Sequence, residues 1–370
     1  AWASVHFIEQ SPAGRFLRGV HHFASHALIV MFVVHLLRVL ITAAFRPPRE
    51  LIWITGMLLL PLVIVWSVTG NPLSGGHKGL EQIKIEGSIL GSTPFVGPML
   101  QTLLIGGDEV GNLTLTHLNF LHVGLMPVLV LSLTGLHLHQ IYRHSVKTRE
   151  ECLAQGEEVT EEPLLTYFPY QSARNVLIQG IVVGIIVWLA WTYGAPLDAP
   201  ADDQFLSEPR PEWYFRWLFE LRRHFTRELE PLVTMVLPGV LLAFLLSIPF
   251  LDDWMSHKAG LALRFVVVSV GIVGWSWLTY TSFMRDLRDP TYVEVMKQGD
   301  ELAARARALA DAYHVSPEGP QQLLRTDPKT QGPILFKEHC ASCHAYEPPD
   351  GLGYAPKERT AANLYRFGSA

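Results

Sequence analysis

The sequence predicts an all-α fold: a polytopic membrane helix bundle of six transmembrane helices with a small soluble domain at its C-terminal end. Three observations predict it. Charged residues make up only 17% of the 370, against roughly 25% in soluble domains. They are also unevenly placed: residues 285–370 hold 23 of the 63 Asp, Glu, Lys and Arg side chains, and the first 284 residues hold the other 40. Within that first part, six long stretches carry none of these four residue types, and a bilayer core of roughly 30 Å takes about 20 apolar residues in helix. This composition excludes a soluble enzyme and a disordered chain. A net charge of −5 excludes a nucleic-acid binder.

In chain order, the charge-free stretches are 19–37, 51–77, 110–142, 175–197, 231–251 and 265–284. Residues 1–18 lack the basic start and apolar run of a signal peptide. A seventh stretch, 87–107, has five Gly and two Pro in 21 residues, a density that breaks long helices; it reads as an interfacial loop with short helices. The polar run 146–174 joins two membrane halves, 1–145 and 175–285, and contains Cys152, read as an ordinary reduced thiol. Beyond them, 286–330 is a linker whose 292–313 stretch reads as an exposed amphipathic helix. Residues 331–370 form the terminal domain.

Histidine placed in charge-free spans is the most informative feature, because ionisable groups inside a membrane are costly and functional by default. The first span carries His21, His22, His26 and His35, and the third carries His117, His122, His137 and His139. His21 and His35 are 14 apart, and His122 and His137 are 15 apart. Both intervals return to about the same helix face and cover roughly 21 Å. Two such helices side by side present two bis-histidine layers, one near each membrane surface. Two axial imidazoles fill both open positions of a heme iron, so such hemes carry electrons. His22, His26, His117 and His139 fall on other faces or at helix ends, where packing, water or quinone contact suffices.

Arg18 lies one turn before His21 and Arg38 one turn after His35. Each is either a partner for an anionic heme propionate or an interfacial snorkelling residue. Gly56 and Gly70 repeat the interval of 14 in the second span, and glycine lets a flat macrocycle approach a helix closely. In the terminal domain, Cys340-Ala-Ser-Cys343-His344 is a c-type heme attachment motif, with Cys340 and Cys343 forming thioethers and His344 ligating iron. The 26 residues after it contain neither Met nor His. The sixth ligand is therefore expected from a longer chain or from a partner.

Together these residues resemble a known family. Arg18-Gly-Val-His21, His35-Leu-Leu-Arg38, Arg49-Glu-Leu, Gly56, Thr69-Gly70, Leu121-His122, Pro127 and His137 resemble cytochrome b of the quinol–cytochrome c reductase (bc1/b6f) family. Tyr167-Phe168-Pro169-Tyr170 with Arg174-Asn175 looks like the entry to that family's fifth helix, and Pro211-Glu212-Trp213-Tyr214 is identical to its quinol-site tetrapeptide. The resemblance covers about residues 1–285. Intervals of 14 and 15, with three helices after the linker, look like b6 joined to its subunit IV. One departure is the run Asn71-Pro72-Leu73-Ser74-Gly75-Gly76, which lacks the family's Pro-Trp. A second is His22, where the plant-type relatives have Arg.

The resemblance implies two b hemes, one on His21 and His122 near the quinol-oxidising face and one on His35 and His137 near the opposite face. It implies quinol as substrate, Glu212 as proton acceptor, and Pro211 and Tyr214 lining the same pocket. The chain supplies no iron–sulfur ligand set, so a Rieske iron–sulfur protein is expected as partner. A further c-type cytochrome as acceptor, a covalent heme c on the tail and a homodimeric complex in a lipid membrane are expected too. The alternative is a non-catalytic diheme b anchor that relays electrons for a dehydrogenase or reductase; such anchors lack Pro-Glu-Trp-Tyr. Loop Lys and Arg divide nine to each side and leave orientation open. Heme attachment to the tail puts it on the outer face of a bacterial cytoplasmic membrane, and six spans put residues 1–18 there as well. Moving Arg15 and Arg18 across calls for an upstream helix or a small membrane subunit.

Overall fold

The computed structural model describes residues 1–93, 95–107, 109–144, 167–205, 208–226, 229–348, 354 and 360–367. Among the described residues there is no β-strand, and six helices are long and apolar enough to cross a membrane. Most of the 146–174 linker, Cys152 included, lies outside the described residues.

A short helix, α1 (Trp2–Glu9), precedes the first span, α2 (Pro12–Thr42). The start of α2 is fixed by Ser11, whose hydroxyl accepts from the Gly14 N–H, and by Pro12 in the first turn. The second span, α3 (Glu50–Gly70), ends before the charge-free stretch does. Pro72 brings no N–H to extend the helix, and Gly75 adopts a φ of 68°, turning the chain into α4 (His77–Gly91). With α5 (Gly97–Ile105), α4 makes up the Gly- and Pro-rich connection, as two short packed helices.

The third span, α6 (Asn112–Arg143), is interrupted by a π turn at Phe120–Leu125, just before Pro127. Proline cannot donate to the carbonyl four residues back, and the wider turn takes up that break. It also absorbs one residue. The 15-residue interval from His122 to His137 therefore comes back to one face, as the regular 14-residue interval does in α2.

The second half holds α7 (Ser172–Thr192), a short α8 (Arg216–Arg222), α9 (Leu237–Trp254) and α10 (His257–Arg288). In packing, α3 lies along α6, α2 against α7 and α10, and α9 against α3. Gly19 makes the α2–α7 approach possible, since a Cβ there would stand 3.0 Å from the Ala190 carbonyl oxygen. At the end of the bundle away from α1, Asp252 is buried between Arg46 and Arg264, so the buried charge is paired on both sides.

Beyond the spans come α11 (Pro290–Tyr313), α12 (Gln322–Arg325) and α13 (Pro328–His339). The expectation of an exposed α11 needs correction. Ala303, Ala306, Leu309 and Ala310 are buried against Trp2, Leu197, Ala199, Leu323 and Leu324. Small residues at helical spacing let α11 sit closely on α1 and on the loop after α7. Arg325 is ion-paired to Asp202 of that loop, and Arg305 to Asp327. The tail is thereby latched to the end of the bundle that carries His21.

Candidate functional site

The structure brings the histidines of α2 and α6 together in two layers. The rings of His21 and His122 face each other with centroids 6.0 Å apart and planes at 88°. His122 Nδ1 is 2.9 Å from the Trp66 carbonyl oxygen. A carbonyl only accepts, so Nδ1 carries the proton and Nε2 keeps its lone pair for a metal. Trp66 in turn donates from Nε1 to the His122 carbonyl, 2.8 Å away. In the other layer, His137 Nδ1 lies 3.0 Å from the Thr55 hydroxyl. His35 is within electrostatic reach of His137, and Arg38 of His35.

The two glycines of α3 lie directly against these rings. A Cβ on Gly70 would stand 2.5 Å from His122 Cε1, and one on Gly56 3.1 Å from His137 Cε1. Both glycines clear room for the imidazoles themselves. The donor chemistry fits heme: an iron about 2 Å from one nitrogen of each ring puts the centroids roughly 6 Å apart, and His21 and His122 stand 6.0 Å apart.

Beside this pair lies the 211–215 segment. Tyr214 is buried with Ile29, Leu59, Val63 and Val130, from three spans. Its hydroxyl is 2.9 Å from Ser67 Oγ. Burial first, and then the charges of Glu212 and Glu86, push the phenol up to about 12 against the lowering by the Ser67 hydrogen bond. Glu212 Oε1 accepts from Asn71 Nδ2 at 3.2 Å. Trp213 donates from Nε1 to His26 Nδ1 at 3.1 Å and stacks edge-on with Trp275. Behind the segment, Arg216 and Arg210 both bind Asp286, and Arg285 binds the buried Glu220, which fixes the loop to α10.

Arg18 is engaged with Glu9 and with the carbonyls of Ala195 and Pro196, so it closes the α1–α2 corner against the loop after α7. In the tail, Cys340 and Cys343 are unpaired thiols. His344 donates from Nδ1 to the Ala362 carbonyl at 2.8 Å, leaving Nε2 available, so these three residues fit a thioether-bound heme. Sequence reasoning missed Asn71, Gln82, Glu86 and Ser67, and it assigned His26 to packing, water or quinone contact.

Paired histidines from two spans, beside glycines of a third, are the arrangement that a membrane cytochrome of the b class would use. The family model described as Cytochrome b(N-terminal)/b6/petB matches residues 26–200. Cytochrome b6 of Synechococcus sp. (strain JA-3-3Ab) is 34% identical over 147 residues, 40% of this chain and 68% of that protein. The menaquinol:cytochrome c reductase cytochrome b subunit of Geobacillus thermodenitrificans is 35% identical over 148 residues, again 40% of this chain and 66% of the relative's length. A solved hyperthermophilic respiratory Complex III shares the fold, with a TM-score of 0.63 at 23% identity, over 82% of this chain and 80% of that one. The chain belongs to the cytochrome b N-terminal/b6 family, and family membership implies heme b.

Proposed function

We propose that the chain is the cytochrome b core subunit of a quinol:cytochrome c reductase complex, oxidising quinol beside residues 211–214 and coupling this to proton translocation. The observation that carries this reading is the position of Glu212. Its Oε1 is held by Asn71, just past the end of α3, and the neighbouring Tyr214 bonds Ser67 of α3, the helix whose Gly70 lies against the His122 ring. The names of the relatives, menaquinol:cytochrome c reductase cytochrome b subunit and cytochrome b6, support it.

Quinol oxidation releases two protons and two electrons, so it needs a base within reach and two one-electron acceptors. Glu212 is the base: Asn71 holds its Oε1, and the carboxylate takes a proton from a quinol hydroxyl. Tyr214 and Ser67 orient that hydroxyl from the other side, and Trp66 and Trp213 keep water from the pocket. His21 with His122 and His35 with His137 would hold the two b hemes. When bound, these supply one-electron transfer across the membrane with no open coordination position. A Rieske-type partner would serve as the second one-electron acceptor, and Cys340, Cys343 and His344 would hold a c-type heme able to take that electron onward. The latched tail supports an arrangement in which that heme stands on the outer side of a bacterial cytoplasmic membrane, near the oxidation site. Tethering raises its effective concentration there.

The test is Glu212→Gln in the purified complex. Quinol oxidation should slow by roughly 10²-fold or less with heme content unchanged and a Rieske protein co-isolated. Unaffected turnover overturns the reading. A preparation with both b hemes but neither quinol oxidation nor a Rieske partner would mark a diheme anchor.

A further inference from the structure

A second carboxylate joins the Glu212 hydrogen-bond network from α4. Gln82 Nε2 donates to Glu86 Oε1 at 2.7 Å and also to the Val68 carbonyl at 3.2 Å. The other end of that amide, Gln82 Oε1, accepts from Asn71 Nδ2 at 3.2 Å, and the same Asn71 nitrogen holds Glu212. Two amides therefore bridge two carboxylates, Glu86 on one side and Glu212 on the other. Both carboxylates bear on the Tyr214 phenol. Among the described residues no cation is paired with Glu86: Lys84, on the same helix, is turned to Glu81 and to Asp203 of the loop after α7.

We propose that Glu86 is a second proton-accepting carboxylate of the quinol pocket, paired with Glu212 through Gln82 and Asn71, so that the site can take both protons of one quinol without waiting for the first to leave. This rests on the quinol-oxidising reading above. The balance is simple. Two O–H bonds of the quinol break, the two protons go to the two carboxylates, and the two electrons go to the b heme and the iron–sulfur acceptor. Amides do not pass protons along, so Glu86 receives its own proton and does not drain Glu212. Burial raises the Glu86 carboxyl to about 7, against a weaker lowering by the Gln82 hydrogen bond. A base tuned close to the working pH both accepts and releases readily. The titratable groups facing it are Glu212 and Tyr214 from the 211–215 segment; Glu81 and Lys84 share its helix.

The experiment is Glu86→Gln in the assembled complex, beside Glu212→Gln and the double variant. Gln keeps the acceptor that Gln82 uses, so heme content should not change. Quinol oxidation should fall on the order of tenfold. The acid limb near pH 7, below which a protonated Glu86 accepts nothing, should move to lower pH. The infrared carboxyl band that titrates near neutrality should vanish. The double variant should be slower than either single one. Unchanged rate and pH profile in Glu86→Gln, with Glu212→Gln slowed, would overturn this proposal alone. A wild-type complex that does not oxidise quinol would overturn the functional reading together with it. If Glu86→Gln lost heme, Glu86→Asp must restore both heme and the neutral-pH limb, or the role is structural.

Discussion

Trp213 Nε1 donates to His26 Nδ1 across 3.1 Å, which ties the loop that carries Glu212 to the helix that carries His21. The bond joins residues 187 apart in sequence and sets Glu212 at a fixed offset from the histidine pair. His26→Phe removes the acceptor but keeps an aromatic ring against His22, whose own ring lies 4.7 Å away. A single hydrogen bond of this kind contributes about 1 kcal/mol, so turnover should fall roughly fivefold with both b hemes retained. A steady-state assay with heme quantification checks it, and an unaltered rate would show that Trp213 is held by Trp275 alone.

The two span glycines give a graded prediction. A methyl on Gly70 would meet the His122 ring at 2.5 Å, and one on Gly56 would meet His137 at 3.1 Å. The first clashes with an atom whose ring is pinned by Trp66; the second asks for a shift of a few tenths of an ångström. Gly70→Ala should therefore lose most of one b heme per chain, while Gly56→Ala keeps both. Hemochrome absorbance per chain measures this, and equal losses in the two variants would contradict the geometry.

Much of this architecture was legible in the sequence, for a physical reason. Exclusion of charge from a bilayer is a bulk property that marks every span, and histidine intervals of 14 and 15 mark the faces that bring the two histidine layers together. What was not legible depends on tertiary contact. Asn71, Gln82 and Glu86 are ordinary polar residues until the turn at Pro72 and Gly75 folds α4 back towards Glu212. The burial of α11 was missed because a helix rich in Ala, Glu and Arg reads as solvent-facing until Trp2 and Leu197 supply the surface that it covers. The π turn before Pro127 is likewise a tertiary detail: it takes up the extra residue of the second histidine interval.

Replacing His122 with Ala separates the two histidine layers. His21 is then left without a partner ring, while His35 and His137 keep theirs. One b heme should be lost, with the tail heme still attached, since Cys340, Cys343 and His344 lie in a separate element. Two full b hemes in this variant would refute the pairing of His21 with His122.

The last prediction concerns the latch that holds the tail. Arg305 binds Asp327 through two hydrogen bonds, at 2.6 and 3.0 Å, and Asp327 also caps α13 by accepting from the Thr330 N–H at 3.1 Å. The guanidinium beside it holds the Asp327 carboxyl well below the usual carboxylate range. A carboxyl whose folded pKa is depressed contributes stability that is present above its unfolded pKa and lost as pH falls through the folded value. Docking of α12 and α13 onto α11 should therefore persist at about pH 4, where free aspartates are half protonated, and weaken only in stronger acid. Arg305→Ala removes the partner, so the weakening should move up to the ordinary carboxylate range while the six spans stay intact. Hydrogen exchange across residues 322–339 as a function of pH reads the difference directly. Identical profiles in the two proteins would mean that the Arg325–Asp202 pair holds the tail by itself.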